Sequence, residues 1–566
     1  MDTTTQDTLS TQQLQHLGLV MDTIEQLGII QHIDEEIPVD TQKGAIVSMG
    51  HRVAAMILNG LGFVSSPLYL YDRFLEKKAI SRLFGEAVQA KHFNDDALGR
   101  CLDALYDYGV EKLFAALAYR IALGHNLLGK STHLDTTSLS LYGQYPGAED
   151  APAGTPIPKQ GYSKDHHPDL KQMILTLATS GPASLPLWME SQSGNASDQV
   201  ILQEAAQRME AFGGQLQEAP NHLYVADSAI YSSCVAKGKN VRWLSRVPAS
   251  IGMAKSPLRK AADELRWQPL PKGYRYTMRQ IRYKGIDQRW CLIFSQQAYE
   301  REVATIDPSI LQEEAQAKKH LWHLSCRAFG CQKDDRQEVK TLEKTLKYHR
   351  IEAHLTPIEK HAGRGRPAAG AKPSIQGYRV HGQLVADTAA IAKRKSSKGR
   401  FILATNELDT DALPDEALLA AYKEQQHTER GFRFIKEDSL HLSSIFLKKP
   451  TRISALMMVM VLCLFVYNFS QYQLRRSLAQ RKETIPNQVN KPTAEPTMRY
   501  VFQLFDNVQL LHGAYGQRER VLNVSMMLRQ IIGHFGPRAH QIYGLAPQGE
   551  LCNNSYHGPI ALTGCQ

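Results

Sequence analysis

The chain is 566 residues long, is 43% hydrophobic, and carries 66 Lys+Arg against 56 Asp+Glu for a formal net charge of +10. That length exceeds one ordinary domain, and the apolar share excludes a disordered or collagen-like chain. The basic balance favours a polyanionic partner, chiefly nucleic acid, although ordinary basic enzymes share it.

Residues 9–128 read as helical. Apolar positions recur at helical spacing in Leu17-Gly-Leu-Val-Met-Asp-Thr-Ile24 and from Gly44 to Leu58, and Asn94-Asp-Asp-Ala opens a further helix with good N-cap residues. Such a domain either binds DNA or simply packs. From Thr132 the character changes. Thr132–Tyr142 reads as a strand and is followed by a Gly/Pro-rich loop over 147–161. Two more strands follow, Leu170–Thr179 and Leu185–Glu190, joined by Ser180-Gly-Pro-Ala. Asn195-Ala-Ser-Asp198 caps a helix running to about Phe212. His222–Ala226 is a fourth strand, Ser228–Ala236 a short helix and Val241–Val247 a fifth strand. This order implies a mixed sheet covered by helices.

Residues 249–400 interrupt the pattern. Gln280–Ser295 is β-rich and Pro308–Arg350 helical, while His361-Ala-Gly-Arg-Gly-Arg-Pro cannot be a regular element. A basic run over 393–400 leads into another strand, Phe401–Thr405. Leu413–Lys436 reads as one long helix, and Arg475–Thr497 as a basic, partly disordered link before two terminal helical segments. Between these, Ile453–Phe469 is almost wholly apolar. It falls short of the roughly 20 residues of a bilayer span, and a buried core helix reads the same way. The core helix is the favoured reading, with no membrane. The eight cysteines are scattered and form no CxxC pair, which suits a reducing cytoplasm. Cys326 and Cys331 lie near His320 and His323, but at no usual zinc spacing. The N-terminus, Met-Asp-Thr-Thr-Thr-Gln, shows no basic apolar signal segment. Trp243 and Trp290 read as strand core.

Three acids stand out. Asp135 sits within the first strand, Asp227 closes the fourth, and Glu429 lies in the helix over 413–436. A carboxylate in or at the end of an apolar strand is costly unless something binds it. Three such groups brought together suit hard divalent cations. Tyr422, Gln425, Glu429 and Lys436 are spaced three, four and seven apart, so on a continuous helix they share one face.

This constellation resembles the DDE transposases of bacterial insertion sequences. In that family the first Asp lies on the first strand, the second follows the fourth strand, and the Glu lies on a helix beyond a large insertion. Many members carry Tyr, two residues, Arg, three residues, Glu, six residues, Lys. Here the spacings are intact and Gln425 stands in place of the Arg. The stretch Gly161-Tyr-Ser-Lys-Asp-His-His-Pro-Asp-Leu-Lys-Gln172 also looks like the lead into the second strand of such enzymes. The resemblance covers about 130–480. It implies an α/β fold: an RNase H-like mixed five-stranded sheet flanked by helices, with a large mixed α/β insertion and a helical N-terminal domain. The expected limits are 1–128 for the helical domain, 129–248 and 401–480 for the two parts of the core, 249–400 for the insertion, and 481–566 for a C-terminal helical region.

The implied activity is cleavage of DNA at terminal inverted repeats, then joining of the 3′ ends to target DNA. Asp135, Asp227 and Glu429 would hold two Mg²⁺, with Mn²⁺ able to substitute, about 3.5–4 Å apart for in-line attack at phosphorus. Tyr422, Gln425 and Lys436 would contact DNA, with Gln425 the doubtful member. The implied partners are the double-stranded DNA of transposon ends and target, and a second copy in a synaptic homodimer, in a cytoplasmic, nucleoid-associated setting. Arg364-Gly-Arg-Pro367 matches the core of an AT-hook, so Arg364 and Arg366 are candidate minor-groove contacts; a flexible basic linker fits as well. Phe401 stands where related transposases use a base-stacking Trp. Two other readings remain: an RNase H-like nuclease or resolvase that cuts without joining, and an inert, domesticated DNA-binding protein, against which the three intact acids argue.

Overall fold

The computed structural model describes residues 10–39, 46–62, 70–215, 222–228, 231, 241–260, 265–361, 372–436, 447–512 and 519–545. The chain forms two compact units, Met1–Leu244 with Ala420–Gln566, and Ser245–Leu419.

The first unit opens with β1 (Ser10–Gln13) and seven helices: α1 (Leu17–Gln26), α2 (Ile29–Glu36), α3 (Met49–Gly60), α4 (Tyr71–Glu76), α5 (Ile80–Phe84), α6 (Asp95–Tyr108) and α7 (Val110–Gly124). The expected cap forms at α6, where the Asn94 side chain accepts from Ala97 N at 2.8 Å. Then come β2 (Ser131–Leu141), β3 (Lys171–Ser180), β4 (Leu185–Ser193), α8 (Asp198–Gln215) and β5 (Leu223–Ala226), with β6 (Arg242–Arg246) at the unit boundary. The five expected strands form in the order β4-β3-β2-β5-β6, but within a larger mixed sheet and not the sheet of five that was expected. β2, β3 and β4 are antiparallel neighbours, and β5 runs parallel to β2. Of the expected helix over 228–236, most lies outside the described residues.

The second unit contains α9 (Gly252–Arg259), β7 (Gln268–Leu270), β8 (Tyr274–Tyr283), β9 (Ile286–Ser295), α10 (Gln296–Ala304), α11 (Ile306–Cys326), α12 (Gln332–Glu343), β10 (His349–Lys360), β11 (Ser374–Ala386), α13 (Thr388–Ser396) and β12 (Arg400–Thr405). Four of its strands pair in the order β12-β9-β8-β7, all antiparallel. β10 and β11 form a separate two-stranded ribbon. The unit has its own interior. Arg289 is buried and paid for by three partners: Asp415 Oδ1 at 2.7 Å and the carbonyls of Glu407 and Leu413 at 2.8 and 2.7 Å. Trp243, in the first unit, and Trp290, in the second, are both buried in strands, as expected.

The chain re-enters the first unit through α14 (Ala417–Lys423), α15 (Gln426–Ile435) and α16 (Pro450–Arg481). The expected single helix over 413–436 is therefore two. The break is local: Gln425 N, His427 N and Thr428 N bond three residues back, to Tyr422 O, Glu424 O and Gln425 O, in place of the regular four-back ladder. α16 is also longer than its apolar stretch. Leu474 and Leu478 keep the buried stripe going at helical spacing, so Arg475–Arg481 is helix, and the turn comes only at Lys482 with φ +56°. Short β13 (Ile485–Pro486) and β14 (Pro492–Thr493) pair where disorder was expected.

The chain ends in α17 (Met498–Leu504), β15 (Gln509–His512), β16 (Arg520–Leu522), α18 (Met526–Ile532) and α19 (Pro537–Ile542). β15 pairs with β1, so the N-terminal segment is a strand there and not helix. α16 is long and apolar enough to cross a membrane, but 83% of its most apolar window is buried. It is the axis of one continuous core shared by residues of α1–α7, β2–β4, α15 and the C-terminal helices.

The β3–β4 turn presses on the segment before β2. Gly181 has φ +75°, and a Cβ there would lie 1.8 Å from Leu127 O. Ser180 Oγ donates to Ser131 O at 2.6 Å, tying the same turn to the start of β2. Gly181→Ala should therefore lower folding stability by on the order of 1–3 kcal/mol. A chemical-denaturation midpoint matching wild type would contradict this turn geometry.

Candidate active site

β2 is rich in β-branched threonines, and most of its residues are buried. Its parallel pairing with β5 matches Ser131 to Leu223, Thr132 to Tyr224 and His133 to Val225. Carried on two residues, that register sets Asp135 beside Asp227, just past the end of β5. Parallel neighbours lie about 4.8 Å apart. β5 itself is held from the other side, where Tyr224 Oη donates to Glu210 Oε2 of α8 at 2.9 Å.

Asp135 is half-buried, and Asp227 and Glu429 are exposed. Burial pushes the Asp135 carboxyl up to about 6. The negative charges of Asp227 and Glu429 push the same way, while the Lys164 ammonium and the Thr136 N–H oppose them. The Thr136 bond is 2.7 Å long, to Asp135 Oδ1. Asp227 and Glu429 thus both act on Asp135 through space.

Glu429 owes its place to Thr428. The Thr428 hydroxyl donates to His133 O of β2 at 3.2 Å and lies 2.6 Å from the Thr179 hydroxyl of β3. One turn on, Gly431 packs so tightly that a Cβ would meet Leu464 Cδ2 at 2.9 Å and Leu177 Cδ2 at 3.4 Å. Leu177 is the residue opposite Asp135 in the β2–β3 register. α15 is therefore pinned beside the strand that carries the first acid.

The break between α14 and α15 changes the helix face expected for the other three residues. Tyr422 lies on α14, Gln425 is buried at the N-cap of α15, Glu429 is in the first turn and Lys436 closes the helix. Glu429 and Lys436 share α15 and its end, but Tyr422 belongs to a separate helix. Glu424, at the break, reaches back to β2: its carboxylate lies 3.4 Å from His133 Nε2 and 3.4 Å from Ser131 Oγ. The hydrogen bond from His133 holds that carboxyl below its ordinary value. Arg364 and Arg366 lie outside the described residues. Phe401 is on β12 with the Arg246 guanidinium 5.3 Å above its ring.

Two residues near the acids escaped the sequence reading. Lys164 Nζ donates to Thr136 O at 2.6 Å and to Thr136 Oγ1 at 2.7 Å, and its backbone N–H donates to Ser138 Oγ at 3.0 Å. Its neighbour Asp165 accepts from Lys436 Nζ at 2.6 Å. The signal was present in Gly161–Gln172, a stretch noted only as the lead into β3.

Three carboxylates flanked by threonine hydroxyls are a hard-oxygen donor set, and a divalent cation would favour the charged form of Asp135, which burial opposes. Carboxylate and hydroxyl oxygens are the donor type that Mg²⁺ prefers. Among the described residues, no three His, Cys, Asp or Glu side chains form a closed ligand cluster. The acids do not form a coordination shell here.

Residues 9–119 match the family model described as a domain of unknown function, DUF4277. Among solved structures, the chain is similar to a piggyBac transposase synaptic complex with hairpin DNA. The identity is 10% and the TM-score 0.33, covering 87% of this chain and 79% of that one. No curated protein sequence matches the chain.

The raised carboxyl of Asp135 gives a testable pH dependence. A carboxyl whose folded pKa lies above its unfolded value adds stability below about pH 4, and that contribution is lost as pH rises through about 6. In metal-free buffer, Asp135→Asn should thus stabilise the fold at pH 8, by on the order of 2 kcal/mol, and leave it nearly unchanged at pH 4. Urea titrations at the two values decide it, and equal gains at both would exclude charge burial as the cause.

Proposed function

We propose that this chain is a metal-dependent DNA transposase of the DDE type, with β2–β6 and α15 as an RNase H-like catalytic core and Asp135, Asp227 and Glu429 as its acids. The observation that carries the reading is the parallel β2–β5 register. Continued two residues past its last pair, that register would bring Asp135 level with Asp227, while Thr428 ties the helix of Glu429 to the same strand. The net charge of +10 suits double-stranded DNA as partner. The setting is a bacterial insertion sequence, acting as a synaptic homodimer on two terminal repeats in the nucleoid.

When bound, two Mg²⁺ would activate the attacking oxygen and stabilise the leaving one. The protein's part is placement. Asp135 and Asp227 present oxygens from adjacent strands, and Glu429 presents its own from a helix locked to both β2 and β3 by one threonine. In the first step a water oxygen bonds to phosphorus, the bond to the 3′ oxygen breaks, and a 3′-hydroxyl is freed. In the second, that hydroxyl bonds to a target phosphorus and displaces another 3′ oxygen. Each step forms one P–O bond and breaks one, with no outside energy source.

The test uses labelled duplexes carrying the ends of the element and a supercoiled target. Asp135→Ala, Asp227→Ala and Glu429→Ala should each reduce cleavage to background while end binding survives. Near-normal cleavage by Glu429→Ala would refute the assignment. Wild type that cuts but never joins ends to the target would instead be an RNase H-like nuclease.

Arg364 and Arg366 fall between β10 and β11, and we assign them to minor-groove contact. That groove reports A·T-richness more than base order. Replacing both with Ala should weaken binding more on A·T-rich flanks than on G·C-rich ones. Equal losses on two duplexes differing only in flank composition would leave a linker that contributes charge alone.

A further inference from the structure

The geometry points to the turn Ser163–Asp165 as a strap that holds the Glu429 helix in place over Asp135, with Lys164 and Asp165 as positioning residues. α15 is tied at two points, one on each side of Glu429. At its N-terminal end Thr428 donates to His133 O. At its C-terminal end Lys436 Nζ reaches Asp165 Oδ1 at 2.6 Å. Asp165 adjoins Lys164, whose ammonium is fixed by Thr136 O and Thr136 Oγ1 and whose N–H is fixed by Ser138 Oγ. Both ties therefore end on β2, at His133 and at Thr136, on either side of Asp135. The turn is itself braced, with His167 N donating to Ser163 Oγ at 3.0 Å.

The arrangement fixes two degrees of freedom. A helix held at one end can pivot, and Glu429 sits in its first turn. A second tie near the last turn removes the pivot. The Asp165–Lys436 pair is partly exposed, with side chains 34% and 24% accessible, so it contributes little to global stability. Its effect lies in local order and in how well the three acids are aimed. Partners that orient ligands in this way typically change metal affinity by roughly 10- to 100-fold when removed. That consequence rests on the reading of the three acids given above; the strap itself does not.

Full-length Asp165→Ala and Lys164→Met are the test, followed by amide hydrogen exchange over residues 426–436. Exchange there should quicken several-fold in both variants while β3 and β4 keep wild-type protection. The charge-swapped pair Asp165→Lys with Lys436→Asp should restore protection, and Asp165→Lys alone should not. Calorimetric titration with Mn²⁺ should show affinity falling about 10-fold in Asp165→Ala and returning in the swapped pair. Wild-type exchange in both single variants would overturn the strap, as would a swapped pair no better than Asp165→Lys alone. A wild-type protein that binds no Mn²⁺ and cuts no DNA would sink the transposase reading, while the exchange experiment would still decide the strap.

Discussion

The parallel pairing of β2 with β5 is the constraint on which the site depends. Continued two residues, it brings Asp227, just past the end of β5, level with Asp135, and the Asp227 charge adds to the cost of ionising Asp135. At about 5 Å and an effective dielectric near 20, like charges repel by on the order of 3 kcal/mol. The surrounding groups answer that repulsion. The Thr136 N–H bonds to Asp135, and the Lys164 ammonium sits close enough to oppose the field. The pairing is sturdy because β2 is flanked on its other side by ten matched residues of β3. The buried carboxyl of Asp135 thus stands on an over-determined frame.

The second structural fact is α16. A helix this apolar would be insoluble if exposed. Here its surface is used up by neighbours on several sides. Near its start Arg452 makes a two-pronged bond to Asp103 of α6, at 2.7 and 2.5 Å. Further along, Asn468 donates to Ser184 O of the β3–β4 turn at 2.8 Å, and Ser470 meets Thr23 of α1 at 2.9 Å. Leu464 fills the space that Gly431 leaves open. The same helix that organises the core therefore backs the Glu429 helix, so packing and site geometry are coupled through one glycine–leucine contact.

What could be read from the sequence follows the strength of local signals. The strands β2 to β6 were legible because apolar and β-branched runs are bounded by turn residues. The buried nature of α16 was legible because its apolar run is short for a membrane. The helix break at Glu424–Gln425 was not, since nothing in Tyr-Lys-Glu-Gln-Gln disfavours helix. It accompanies tertiary ties from Glu424 and Thr428 to β2, which override propensity. β1 was invisible for a similar reason: Ser-Thr-Gln-Gln has no hydrophobic alternation, and its partner lies at the far end of the chain. Lys164 and Asp165 sit in a loop, where residue type indicates a turn but not what the turn grips. The acids themselves were singled out by their placement on elements, and for two of the three that placement depends only on strand register.

The third acid poses a different problem. Between Leu244 and Ala420 the chain builds a whole second unit with its own interior. Closing so long a detour costs only slowly more than closing a short one, because loop entropy grows with the logarithm of length. Thermodynamically the insertion is tolerable, but it removes any help from chain proximity in placing Glu429. Asp135 lies in a ladder of backbone bonds and Asp227 just beyond the end of one, whereas Glu429 arrives on a ten-residue helix preceded by a break. Its position must come from side-chain ties to β2 and β3 and from close packing on Leu177 and Leu464. Thr428, Gly431 and Lys436 supply those contacts at successive turns of the same helix. In a sheet unit interrupted this way, the residues that fix the Glu429 helix decide where that acid lies.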